Sequence, residues 1–370
     1  MPESQYHDEQ HAIAVDEDAL LTTPTGELVI VTAQPFNAEM PPEAWQAAVT
    51  PTEQFYVRNH FAVPELDPAT WCLHIGGAVQ HSQDLHLADL RAFPSRTVTT
   101  TMVCAGNNRL GFAPLAAGEP WGAGAVSTAA WQGVALRDVL SRAQLRHSTV
   151  ELLFTGADQG VPQGEHETVA YARSLPLDKA LDPDTLLAYA MNDAPLPPMH
   201  GGPVRLIVPD WYGMASVKWL AHVTAIEQPF DGYFQHQRYV IERPDQTAKL
   251  PVQTMRVETY ITSPQGGDTL TIGKHSVRGV AWSGEEPIAQ VEVRLDYDGE
   301  WQTARLVGDA QPHAWRAWEW IWQASEAGRH VLQARATDSQ GHTQPEVAEW
   351  NRYGYANNAI QSVVVAVEDG

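Results

Sequence analysis

Cys104 is one of only two cysteines in 370 residues. It closes the run Thr97-Val98-Thr99-Thr100-Thr101-Met102-Val103 and opens Cys104-Ala105-Gly106-Asn107-Asn108-Arg109. The β-branched run predicts a buried strand. The small residues and Gly106 predict a tight turn at its end. A thiol at that junction is rigidly held and can still meet a ligand. Arg109 would favour its thiolate, the form that acts as nucleophile or metal ligand. The alternative is an inert core cysteine, since free Cys is among the most buried residue types. Cys72, in the alternating segment Trp71-Cys72-Leu73-His74-Ile75, reads as core packing.

Other polar residues gather in short blocks. Arg58, Asn59 and His60 interrupt the apolar segment 55–64. They are either the solvated face of an edge strand or a polar lip over a cofactor. His200, Arg205 and Lys218 fall at predicted loops and strand ends, where rigid scaffolds hold ligands. Each alone could be a surface ion pair or a satisfied core histidine; together they outline an anion site. No His/Asp partner is evident for Cys104, which weighs against a cysteine hydrolase. CxxC and zinc spacings are absent, as are GxGxxG and P-loop signatures. A soft, highly charged metal could use one thiolate if an organic cofactor brought the remaining sulfurs. Such a cofactor, anionic through its phosphate, needs donors from several loops, as at 58–60, 109, 200–205 and 216–218.

The scaffold for these groups is expected to be two domains, since one core rarely grows to this length. The formal charge of −22 argues against a nucleic-acid partner, which needs a basic face. An anionic substrate would then require locally clustered arginine, and a basic protein partner would be steered in. No apolar run approaches a membrane span. Residues 1–18 are acidic, with neither a basic nor an apolar leader region. The expectation is therefore a cytoplasmic chain, or a periplasmic one if a leader has been removed. Short strands are predicted at 71–77 and 150–154, the latter followed by Asp158, with helices near 85–90 and 136–140. Beyond about 250 the texture changes. Strand-like segments recur at 255–262, 269–272, 277–282, 288–297, 301–306, 317–323, 329–337 and 360–367, the pattern of an antiparallel β-sandwich. Trp318, Trp320 and Trp322 should share one face. The boundary is placed at 243–250, giving an N-terminal extension (1–50), a catalytic domain (51–247) and a sandwich (248–370).

Five blocks, in order, resemble the sulfite oxidase family of molybdenum–pterin oxidoreductases: Tyr56-Val57-Arg58-Asn59-His60, Cys104 to Arg109 as quoted above, Trp121-Gly122-Ala123-Gly124-Ala125, His200-Gly201-Gly202-Pro203-Val204-Arg205 and Ser216-Val217-Lys218-Trp219-Leu220. The resemblance covers about 50–365. It implies an α+β fold, a mixed α/β molybdopterin domain followed by an all-β immunoglobulin-like dimerisation domain. It implies a molybdenum–molybdopterin cofactor with Cys104 as the protein's metal ligand. Tyr56, Val57, Arg58, Asn59, His60, Asp158, His200, Arg205, Ser216, Val217 and Lys218 would hold the pterin and its phosphate. Arg58, Arg109 and Trp121 would line the anion pocket, and Tyr239, in Gln235-His236-Gln237-Arg238-Tyr239, would reach the metal's oxygen ligand. The implied activity is oxidation of sulfite to sulfate by a homodimer, with electrons passing to a separate acceptor such as a cytochrome. The alternative keeps the cofactor and reduces nitrate or a sulfoxide.

The chain departs from the family pattern at several points. Asn108 replaces a commonly basic residue. The segment 109–121 is shorter than in the animal enzymes and lacks their basic residue. Tyr353 stands where they carry a pocket arginine, with Arg352 displaced by one. No haem or flavin domain is fused within the sequence.

Overall fold

The computed structural model describes residues 27–243 and 249–369. The expectations for residues 1–26, and the part of the predicted boundary within 244–248, lie outside the described residues.

The first domain is built from one antiparallel sheet, one mixed sheet and three short helices. A hairpin, β1 (Val29–Ala33) and β2 (Phe36–Glu39), comes first. Then follow β3 (Cys72–Gly77), β4 (Gln83–His86), α1 (Leu87–Arg91), β5 (Arg96–Val103), β6 (Val126–Ala135) and α2 (Leu136–Ala143). The series continues with β7 (Glu151–Gly160), β8 (Val169–Pro176), α3 (Leu177–Ala180), β9 (Leu186–Met191), β10 (Ala194–Pro195), β11 (Arg205–Ile207) and β12 (Leu220–Ile226). One sheet has the order β10-β9-β6-β5 with β11 also on β9; the other runs β4-β3-β12-β7-β8. In the second, β12 lies parallel to β3 and antiparallel to β7. Helices occupy little of this domain, which is mostly β.

β5 forms as its β-branched sequence predicts, and its last four residues are buried. It pairs with β6 from Arg96↔Gly133 to Val103↔Val126. The ladder therefore ends one residue before Cys104, whose N–H instead donates to Ala125 O at 2.8 Å. β7 is longer than expected. Asp158 lies inside it, at an irregularity in the pairing with β8 between Thr155 and Gln159.

Segment 55–64 is not the edge strand that was one of its two expected forms. Its only ladder contact is an isolated bridge, Val57↔Ala38. The chain is held by side chains: Arg58 Nη1 and the Asn59 N–H both donate to Asn37 Oδ1 of β2, at 3.1 and 2.7 Å. That anchoring leaves 58–60 as an irregular strip facing inward.

After β13 (Val240–Ile241) and β14 (Leu250–Pro251), which pair with each other, the second domain holds β15 (Glu258–Ser263), β16 (Thr269–Thr271), β17 (Gly273–Trp282), β18 (Ile288–Leu295) and β19 (Gln302–Thr303). It ends with β20 (Arg305–Leu306), β21 (Arg316–Ala324), β22 (Gly328–Asp338) and β23 (Ser362–Glu368). Sheets of order β15-β17-β21-β20 and β16-β23-β22-β18-β19 enclose one core. All eight predicted segments form strands. Trp318 and Trp322 are buried in that core and Trp320 packs against it. One pairing departs from the antiparallel expectation: β16 is parallel to β23.

The two domains share a core. Trp45 of the N-terminal segment stacks on Tyr260 at 5.3 Å and on Trp315 at 5.7 Å, both from the sandwich. Aromatic pairs of this kind contribute about 0.5–1.5 kcal/mol each beyond area burial. Among the described residues no helix is long and apolar enough to cross a membrane.

Candidate active site

The end of β5, the 55–60 strip, the 199–205 loop and the 213–218 turn meet around one cavity. It encloses about 630 Å³ of empty space, part of it open to solvent. Twelve of the residues singled out in the sequence line it: Tyr56, Val57, Arg58, Asn59, His60, Cys104, Asp158, His200, Arg205, Ser216, Lys218 and Tyr239. They come from segments up to 183 residues apart (56 to 239).

Cys104 sits in the wall, 6% exposed. Its carbonyl accepts from the Asn107 N–H at 2.9 Å, closing the turn. A Cβ at Gly106 would displace the Arg109 guanidinium from its place against the turn. Arg109 does favour the thiolate, as expected, but burial outweighs it. Burial pushes the Cys104 thiol up, and Arg58 and Arg109 only partly offset it. In the protein alone desolvation outweighs two guanidiniums; a metal cation would reverse that balance.

The opposite wall is cationic. Arg205 is buried with Nη1 on His200 O (2.9 Å), Nη2 on Ser216 O (2.9 Å), and its guanidinium 5.0 Å from the Trp131 ring. Burial lowers its pKa to about 10. Lys218 Nζ donates to Asn59 Oδ1 and lies 4.0 Å from the Trp219 ring centre. Burial, then Arg205, holds it well below the usual lysine range, and Asp158 opposes them. Burial pushes Asp158 up to about 6 against the pull of Lys218. His200 Nε2 donates to Thr52 O at 3.0 Å. Burial, Arg205 and Lys218 lower its pKa to about 3, so the ring is neutral. Tyr239 Oη and His60 Nε2 are 2.9 Å apart, and both are fixed in uncharged forms chiefly by burial.

Two buried atoms in this wall have no hydrogen-bond partner among the described residues, Asp158 Oδ1 and Arg205 Nε. Buried polar atoms are seldom left so, and each such atom calls for a ligand or a water. An acceptor and a cationic donor, both unsatisfied, beside a soft sulfur suit an anionic, amide-bearing ligand that also carries a metal. Among the described residues no three His, Cys, Asp or Glu side chains converge. Any metal at Cys104 must therefore take its remaining ligands from the ligand itself.

Three residues expected at the site stand behind the wall. Val217 and Trp121 are fully buried, and Trp121 packs with Cys104, Phe55 and Met102. Arg109 is 4% exposed; its Nε donates to Tyr353 O (2.8 Å) and its Nη1 to Glu119 O (2.5 Å). Its charge is thus turned toward the loops that close the site, and it lies 5.5 Å from the Tyr355 ring.

Other residues at the site escaped the sequence reading. Tyr171 lines the cavity, donates to Met214 O at 2.7 Å and stacks on His60 at 5.0 Å. Arg173, two residues on along the same face of β8, is 1% exposed and lies 5.7 Å from the Tyr239 ring. The signal available was their alternation on one strand face, an arginine where an apolar residue belongs. Met102, Met199, Met214, Phe55, Ala105 and Gly213 also line the cavity.

A family model described as the oxidoreductase molybdopterin binding domain matches residues 60–234, and one described as the Mo-co oxidoreductase dimerisation domain matches 249–368. Mitochondrial sulfite oxidase of Rattus norvegicus is 38% identical over 365 residues, covering 92% of this chain and 66% of that protein. The chain thus spans just under two thirds of that relative. Sulfite oxidase of Gallus gallus is 36% identical over 350 residues, with 88% and 75% covered. The crystal structure of the sulfane dehydrogenase SoxCD from Paracoccus pantotrophus superposes with a TM-score of 0.79 at 27% identity, covering 100% of this chain and 96% of that one.

Proposed function

This chain belongs to the sulfite oxidase family of molybdopterin oxidoreductases, and on that premise we propose that it oxidises sulfite to sulfate. One observation carries the proposal: a cysteine thiol at the end of a buried strand, set in a cavity wall whose Asp158 Oδ1 and Arg205 Nε have no hydrogen-bond partner among the described residues.

In this proposal Cys104 is the protein's ligand to molybdenum. Arg205, Lys218, His200, Ser216 and Asn59 hold the pterin and its phosphate, and Asp158 accepts from the pterin's N–H groups. When bound, molybdopterin supplies oxygen-atom transfer and two-electron redox chemistry. Overall, sulfite takes up the oxygen of one water, whose two protons are released, gives up two electrons to the acceptor and leaves as sulfate. Arg58, half-buried beside the thiol, binds the anion; charge-assisted hydrogen bonds are the strong ones available to it. Arg109 keeps the turn and the loops at 119 and 353 in register and adds positive potential behind them. Tyr239, held by His60, positions water or substrate by its hydroxyl. The dimerisation-domain match supports a homodimer as the working unit. The electrons go to a separate acceptor, for which a cytochrome is the candidate.

The test is steady-state turnover of sulfite by holoprotein with an artificial one-electron acceptor. Sulfite oxidation that is lost or weakened in Arg58→Ala supports the proposal. Turnover of nitrate or a sulfoxide without sulfite oxidation would replace the substrate while keeping the cofactor.

A further inference from the structure

Arg238 closes a single π-helical turn, Tyr233–Arg238, immediately before Tyr239. Such turns are rare and frequent at functional sites. Its guanidinium lies 4.8 Å from the Tyr353 ring centre. Tyr353 in turn is 5.8 Å from Tyr355, which stacks on Tyr239 at 5.2 Å. The guanidiniums of Arg238 and Arg109 therefore flank one ladder of three tyrosines that begins at the cavity wall.

The arginines of this region differ in how their charge is committed. Arg58 donates to Asn37 and Asn59, and Arg109 to two backbone carbonyls. Arg352 pairs with Glu242 at 3.3 Å and is largely exposed. Arg238 makes no hydrogen bond or ion pair to any described residue, although the chain carries 45 acidic residues against 23 basic ones. Burial works against its charge, and the surrounding Tyr355, Tyr239, Tyr233 and Tyr353 more than offset it, so the guanidinium stays charged with no acidic partner among the described residues. It raises the local potential where the overall field would repel an anion. Burial raises the Tyr355 phenol, and the positive charges of Arg238, then Arg109, then Arg58 partly offset it.

We infer that Arg238 is a specificity residue of the anion site, whose uncommitted guanidinium selects a doubly charged oxyanion over a singly charged one. This rests on the assignment of the cavity as an oxyanion-processing site. A third guanidinium adds attraction in proportion to ligand charge, so it favours sulfite or sulfate over nitrate. Arg352 also lies over the Tyr353 ring, at 5.4 Å, but it is paired with Glu242, which leaves Arg238 as the cation without an acidic partner at that edge.

The test is titration of holoprotein with sodium sulfate and with sodium nitrate at fixed ionic strength, for wild type, Arg238→Gln and Arg238→Lys. Loss of one charge-assisted contact predicts about a tenfold or greater rise in the sulfate dissociation constant of R238Q, with a smaller change for nitrate. R238K keeps the charge and should retain sulfate binding better than R238Q. Equal sulfate affinity in wild type and R238Q, an equal loss for nitrate, or an equal loss in R238K would overturn the inference. Wild-type protein that binds sulfate through Arg238 but does not oxidise sulfite would sink the substrate proposal and leave the role of Arg238 standing.

Discussion

Asn107 Nδ2 donates to Tyr260 Oη across 3.1 Å, joining the turn that carries Cys104 to the first strand of the sandwich. Tyr260 Oη donates onward to Glu258 Oε1 at 2.8 Å, and Asn107 Oδ1 accepts from the Ala125 N–H at 3.0 Å. The second domain therefore does more than cover the first; it fixes the side chain three residues beyond the thiol. Buried networks of this kind stabilise when every member is satisfied and cost heavily when one is not.

Glu258 makes that network sensitive to pH. Burial raises its pKa to about 8, opposed only in part by the Tyr260 hydrogen bond. The folded protein then binds a proton that the unfolded chain releases near 4.5. Native protons exceed unfolded protons between those values, so stability falls as pH rises through that window, by about 1.4 kcal/mol per unit at most. Glu258→Gln keeps the shape and removes the titration. Thermal midpoints measured from pH 5 to 9 should fall less steeply in the variant. Parallel curves for the two proteins would show that Glu258 is ionised in the fold.

Asn108 adopts φ 56°, the left-handed region that Asn tolerates and β-branched residues avoid. Its carbonyl accepts from Asn357 Nδ2 at 2.7 Å. The residue is thus suited to the backbone of the turn, whatever charge it omits. Asn108→Gly should stay within a few tenths of a kcal/mol of wild type, and Asn108→Val should lose about 1–2 kcal/mol. Denaturant unfolding midpoints measure both; a neutral Val variant would remove the conformational explanation.

Tyr239→Phe deletes the hydroxyl beside His60 and leaves the ring stacked on Tyr355. On the proposed function it should cut kcat for sulfite about 10- to 100-fold. Its unfolding free energy should change by about 1 kcal/mol, the worth of one hydrogen bond. Unchanged kcat would place the hydroxyl outside the chemistry.

Much of this was legible from the residues because it was local. A β-branched run followed by small residues and Gly106 marked the strand and turn at Cys104. The eight sandwich strands showed through spacing and alternation, and the tryptophans of β21 through period two. What stayed hidden was set by distant partners. Residues 58–60 were open between strand and lip because their anchor, Asn37, lies on another element. Tyr171 and Arg173 sit in an ordinary alternating strand and acquire meaning only where β8 meets His60 and Tyr239. The parallel pairing of β16 with β23 joins segments almost a hundred residues apart. The pull of Arg109 on the thiol is visible in the sequence, but the burial that outweighs it is not.

The central claim is that Cys104 ties molybdenum to this chain. Its most direct test is metal analysis of purified wild type and Cys104→Ser, coupled to sulfite turnover. Wild type is predicted to carry about one molybdenum per chain, as expected for a single cofactor site. The serine variant is predicted to lose turnover, with its metal lost or inert. A Cys104→Ser protein that holds molybdenum and oxidises sulfite as wild type does would contradict the account.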